Sequence, residues 1–179
     1  MDFAISPESS EQPSPGRRQF IQFAALGAGI SLLSATPWVL AAGEVKALLL
    51  SCIDYRLIDE TNRYMNSRGL SDQYDHFILA GASLGAVTKQ HVSWVKTFWA
   101  HLDLAIDLHK VPRLIVMDHR DCGAYRLILG QDFVKEPEKE TQVHEKHLKK
   151  LATLVKQKYP KLEVELHLIA LDGSVETFS

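Results

Sequence analysis

The sequence predicts an α/β fold, a mostly parallel central sheet flanked by helices. Short, wholly apolar runs such as Leu48-Leu49-Leu50 and Leu114-Ile115-Val116-Met117 have the length and continuity of strands buried on both faces. Longer amphipathic stretches separate these runs. Strands that alternate with helices are joined by right-handed crossovers, which make the strands parallel.

Val45 to Ser51 is an apolar run that ends at a polar cluster, as a buried strand does. Leu57 to Arg68 reads as a helix stopped by Gly69. His76 to Leu79 is a second strand, closed by Gly81. From Val87 to His109, Val92, Val95, Trp99, Leu102 and Ile106 recur at spacings of three and four, which predicts a long amphipathic helix. Pro112 stops that helix from running into the third strand, Leu114 to Met117. A further helix starts near Cys122 and ends at Gly130. Lys139 to Lys158 is a charged helix with Val143, Leu148, Leu151 and Val155 on its apolar side. Pro160 ends it, and Val164 to Leu171 is the last strand.

The first forty-odd of the 179 residues differ in kind. Residues 1–16 are rich in Pro, Ser and Glu and carry no apolar periodicity. Arg17-Arg18 precedes a nearly uncharged run from Phe20 to Ala42 that closes on small residues. A basic pair, an apolar stretch and a small-residue site are the three parts of an export signal. The context Gly16-Arg17-Arg18-Gln19-Phe20-Ile21 resembles the twin-arginine type, which implies a periplasmic or secreted protein. The competing reading is an uncleaved membrane anchor, which the Gly, Ala and Ser content of the run disfavours. The expected organisation is therefore a signal over 1–42 and one domain over 43–179, with no stable membrane insertion once the signal is removed.

Hydrophobic residues make up 46% of the chain and charged residues 23%, which excludes wholesale disorder and a collagen-like repeat. A net charge of −2 argues against a nucleic-acid partner, which requires a clustered basic surface. Two cysteines are too few for a disulfide framework.

In open α/β sheets the working residues gather beyond the carboxyl ends of the strands. Here the first strand is followed by Cys52-Ile53-Asp54-Tyr55-Arg56, and the third by Asp118-His119-Arg120-Asp121-Cys122-Gly123. Both cysteines thus occupy strand ends. Two thiolates and one imidazole suit zinc, and three protein ligands leave one position open, the catalytic arrangement. A Cys52–Cys122 disulfide is the other reading that spacing alone allows.

Cys-x-Asp-x-Arg and His-x-x-Cys-Gly, in this order and each after a buried strand, resemble the zinc-site signature of the beta class of carbonic anhydrases. The resemblance runs from Val45 to Leu129, and Leu166 to Val175 is similar to that family's closing strand. It implies a lyase that hydrates carbon dioxide reversibly to bicarbonate by a zinc-bound hydroxide, with Cys52, His119 and Cys122 as zinc ligands. Asp54 and Arg56 match the catalytic dyad, in which Arg holds Asp in an ion pair; in the family's closed form the equivalent of Asp54 binds the metal instead. A homodimer or higher homo-oligomer is implied as well. Hydrolysis of carbonyl sulfide or carbon disulfide at the same site is an alternative, as is a zinc-binding or disulfide-bonded domain without catalysis. One departure stands out: Ile78-Leu79-Ala80-Gly81-Ala82 keeps Ala-Gly but lacks the polar residues usual after the family's second strand.

Weaker signals are read as structural. Gly81-Ala82-Ser83-Leu84-Gly85 lacks a P-loop lysine and reads as close packing. His144 and His147, a turn apart on the charged helix, read as a solvated face. His91, His101 and His109 receive no role, and Trp94, Phe98 and Trp99 read as core or subunit interface.

Overall fold

The computed structural model describes residues 45–133 and 135–179; the expected export signal lies outside these residues. Five strands form one sheet in the order β2-β1-β3-β4-β5: β1 Ala47–Ser51, β2 Tyr74–Ile78, β3 Arg113–His119, β4 Glu163–Ile169 and β5 Val175–Phe178. The first four pair in parallel, and β5 runs antiparallel to β4. The helices are α1 (Ile58–Ser67, entered through a 3-10 turn at Tyr55–Leu57), the short α2 (Ala82–Gly85), α3 (Val92–His109), α4 (Gly123–Leu129) and α5 (Pro137–Lys158). The α/β class and the predicted strand-helix alternation are borne out.

The sheet has two covered faces because successive side chains of each strand point oppositely. Leu48, Leu50, Leu114, Val116 and Leu166 meet α3 and α5 through Phe98, Leu102, Leu148, Leu151 and Val155. On the other face, Ala47, Leu49, Ile115, Met117 and Ile169 meet Leu57 and Met65 at α1. Fully burying one such aliphatic side chain contributes about 1.5–3 kcal/mol. β1 is buried along its whole length, and so is β3 after Arg113, which explains their uninterrupted apolar runs.

From β1 the chain crosses to β2 on one side of it and then to β3 on the other. The crossovers therefore diverge at the carboxyl ends of β1 and β3, and a crevice opens there. Ser51 pairs with Met117, so Cys52 and His119 leave adjacent strands at the same end.

Four local expectations are corrected. The long helix begins at Val92 rather than Val87, because residues 82–85 form a separate turn of helix. Val92, assigned to the apolar stripe, is 56% exposed at the helix start. The last predicted strand stops at Ile169, where a turn at Asp172-Gly173-Ser174 reverses the chain into β5; Gly173 there adopts φ +85°, the left-handed region that suits glycine. Finally, His144 is not on a solvated face; it is 1% exposed. The Gly81–Gly85 segment packs closely, as expected: a Cβ on Gly85 would overlap the Ala80 carbonyl oxygen.

Candidate metal centre

Cys52, His119 and Cys122 converge. One donor atom from each lies within 4.8 Å of the others, and the two sulfurs are 3.9 Å apart. Both thiols are free. Tetrahedral zinc with bonds of about 2.3 Å to sulfur sets its ligand sulfurs about 3.8 Å apart, so the spacing fits the ion. A disulfide would hold them at about 2.05 Å.

His119 is oriented for the same role. Its Nδ1–H donates to the Arg120 carbonyl at 2.8 Å, which leaves the Nε2 lone pair facing the two sulfurs. Nε2 is buried and has no hydrogen-bond partner among the described residues. A buried polar atom without a partner is costly, and a metal ion satisfies it. The donor set and its geometry therefore fit zinc.

The electrostatics agree. The hydrogen bond between the sulfurs pushes Cys52 down to about 4 and pushes Cys122 well up. The pair thus holds a single proton, which a divalent ion replaces on binding. Burial opposes the charged form of His119, but the adjacent Cys52 thiolate outweighs it, helped by the Arg120 carbonyl and the Asp54 carboxylate, and the His119 pKa is raised. The Gly81 amide donates to Cys52 Sγ at 3.3 Å, so the kept Ala-Gly segment contributes a main-chain donor to the thiolate.

Asp54 and Arg56 form the expected pair. The guanidinium donates through Nε to Asp54 Oδ1 at 2.9 Å and through Nη2 to Oδ2 at 2.7 Å, and the Arg56 amide also donates to Oδ1 at 3.0 Å. That grip, first of all the side-chain hydrogen bonds, lowers Asp54 to about 2. Asp54 Oδ2 lies 3.7 Å from His119 Nε2, so the carboxylate stands beside the ligand set while its lone pairs are held by Arg56. Cys52, Asp54 and His119 line two clefts. One, of about 220 Å³, has apolar walls that include Leu57, Ile58, Ile78, Met117 and Ile169 and a polar rim at Asn62, Tyr74 and His76. The other, of about 300 Å³, includes His91, Trp94 and Leu127.

Sequence reasoning missed several contributors. Asp121 completes the Arg56 contacts, accepting from Nη1 at 2.7 Å on its carboxylate and from Nη2 at 3.0 Å on its carbonyl. Asp118, directly before His119, is buried and accepts from the Ser83 amide, the Ser83 hydroxyl, the Tyr125 hydroxyl and His144 Nδ1 at 2.6–3.0 Å. Burial opposes the Asp118 charge, yet these donors, His144 foremost, hold it below the usual carboxylate range. An acid directly before a candidate ligand was visible in the sequence; its burial and its partners were not.

The chain can now be set beside known proteins. The family described as "Putative carbonic anhydrase" matches residues 42–178. An uncharacterized protein of Rickettsia bellii and one of Rickettsia conorii are each 41% identical over 133 residues, 74% of this chain and 81% and 72% of theirs. Among solved structures, the beta-carbonic anhydrase CafA of Aspergillus fumigatus shares 15% identity at a TM-score of 0.52, over 80% of this chain and 79% of that one. Wild-type CafD of the same fungus gives the same two values over 82% and 97%. These likenesses show the fold: the mostly parallel five-stranded sheet is that of the beta-carbonic anhydrases.

Proposed function

Since the chain belongs to this carbonic anhydrase family, we propose that it hydrates carbon dioxide reversibly to bicarbonate at a zinc ion held by Cys52, His119 and Cys122. The observation that carries the reading is Asp54, fixed by Arg56 and standing 3.7 Å from the unpartnered nitrogen of His119. Bound zinc supplies water activation, which in carbonic anhydrases lowers the pKa of the bound water to about 7. Asp54 accepts a hydrogen bond from the attacking water and so aims its lone pair at the substrate carbon. Its low pKa keeps it an acceptor at every physiological pH. Arg56 engages both carboxylate oxygens and so keeps Asp54 from turning onto the metal. The apolar wall of Ile58, Ile78 and Met117 suits a small linear molecule without hydrogen-bond donors.

Stopped-flow hydration of carbon dioxide by the zinc-loaded protein tests the reading. Turnover of carbonyl sulfide or carbon disulfide without carbon dioxide hydration would reassign the substrate. No turnover on any of the three would leave a zinc-binding domain without catalysis.

Two further proposals concern context. Ile53, Tyr55, Ile58, Ile78 and Leu127 are exposed large apolar side chains at or beside the clefts, which supports burial against a second copy and a homo-oligomer; sedimentation reads the mass directly. The Arg17-Arg18 pair and the apolar run after it support export by the twin-arginine route. Among the described residues no helix is long and apolar enough to cross a membrane.

A further inference from the structure

The inward stripe of α5 changes character along its length. Its second half presents Leu148, Leu151 and Val155 to the sheet, while its first turns bury Glu140 and His144 instead. These two residues are one helical turn apart on one face. His144 is 1% exposed and Glu140 6%. As stability devices, buried polar groups are inferior to the leucines further along the same stripe. Their partners give them another purpose.

His144 Nδ1 donates to Asp118, the residue before His119, at 3.0 Å. Glu140 Oε1 accepts the Asp121 amide, directly before Cys122, at 2.6 Å, and Oε2 accepts from Arg120 at 3.1 Å. The stretch from Asp118 to Asp121, which carries His119 and leads into Cys122, is thus held at both ends from a single helix. Asp121 gains from such a hold, because its φ of +54° lies in the left-handed region, which is uncommon outside glycine although aspartate tolerates it better than most residues. The same residue receives Arg56, and through Arg56 the position of Asp54 depends on it.

We propose that Glu140 and His144 are a positioning pair for the metal centre, clamping the loop between ligands His119 and Cys122 and, through Asp121, seating the Arg56–Asp54 pair. The inference rests on the metal-centre reading above. The clamp fixes the separation of two ligands before the ion arrives, so its loss appears as weaker metal binding and altered ligand geometry rather than as unfolding.

The test is zinc competition against a chromophoric chelator, with the visible absorption of the cobalt(II)-loaded protein as a second readout. Glu140→Ala and His144→Leu are each expected to weaken zinc binding by about 10–100-fold, while Glu140→Gln and His144→Asn, which keep an acceptor and a donor in place, stay within about threefold of the parent. The cobalt bands should shift in the first pair only. Glu140→Asp keeps the charge but draws the acceptor back by one methylene; it is the mild probe should the larger changes fail to fold, with about a tenfold loss expected. Folded Glu140→Ala, His144→Leu or Glu140→Asp protein with parental affinity and an unchanged cobalt spectrum would overturn the clamp. A parent chain that binds neither metal would remove the metal reading, and the clamp with it, before any variant is compared.

Discussion

Arg56 holds Asp54 with one edge of its guanidinium and Asp121 with the other, so a single side chain ties the segment after β1 to the loop after β3. Asp54 belongs to the segment of Cys52, and Asp121 lies between the other two candidate ligands, His119 and Cys122. The planar fork of arginine allows this double engagement; the point charge of lysine does not.

Removing that fork should separate activity from metal content. Arg56→Ala is expected to keep its zinc and lose on the order of 100-fold in turnover, the scale on which a lost oriented hydrogen-bonding group costs a hydrolytic site. Arg56→Lys should recover little of the loss. X-ray absorption of Arg56→Ala should show a carboxylate oxygen in place of the bound water as Asp54 reaches the ion. An Arg56→Ala protein with full activity per bound zinc would rule out this role for the pair.

The ligand set predicts its own loss. Cys52→Ala, His119→Ala and Cys122→Ala should each fall from about one zinc per chain to a small fraction, since two ligands hold the ion poorly. Elemental analysis of the purified variants checks this. In the parent, both thiols should resist alkylation until a chelator is added; rapid alkylation of the zinc-loaded parent would contradict the assignment.

Gly85→Ala places a methyl group against the Ala80 carbonyl oxygen, a backbone atom that moves only with its chain. The expected cost is about 1–3 kcal/mol. Because Gly81 in the same segment donates to Cys52, the variant should also bind zinc more weakly. Thermal unfolding and zinc competition measure the two effects, and an unchanged melting temperature would count against the packing described.

The Arg68–Glu165 pair gives a pH signature. Burial raises the Glu165 pKa, but hydrogen bonds from Arg68 and then His167 outweigh it, so the folded-state value lies below the ordinary 4.5. A lowered folded-state pKa means stability that is complete above about pH 4.5 and lost as the pH falls through the folded value. Arg68→Gln should therefore cost about 1 kcal/mol at pH 7, and the gap to the parent should close in acid. Urea unfolding at pH 7 and pH 3 decides it; a gap independent of pH would point to lost packing on Tyr64 instead.

Export has a direct test. With Arg17-Arg18 replaced by Lys-Lys, the precursor should remain inside the cell, as fractionation and immunoblotting would show. Undiminished export would favour another route or an anchor.

The legible parts of the fold were those that local sequence controls. β1 and β3 announce themselves because burial on both faces leaves no polar position to interrupt the run. β5 escaped because four half-exposed residues at a sheet edge carry little signal, although Asp172-Gly173 marks the reversal that precedes it. Spacing alone made Cys52, His119 and Cys122 candidate ligands with a disulfide still open, and only the resemblance to the beta-carbonic anhydrases singled out Asp54 and Arg56.

Asp121, Glu140 and His144 were not readable in their roles, because their partners are 19 to 65 positions away. Helical spacing still held part of the answer: 140, 144, 148, 151 and 155 continue one stripe, broken on paper only by the polarity of its first two members.

Parallel pairing of β1 with β3 leaves Cys52 and Cys122 70 positions apart along the chain. No hairpin or local fragment can therefore assemble the centre, and bringing its residues together costs the entropy of closing a long loop. If zinc binds there as proposed, tight capture of the ion would report completed topology rather than seed it. Such an ion would tie the end of β1 to the end of β3, so chelation should hasten the parting of those two strands more than that of β4 from β5.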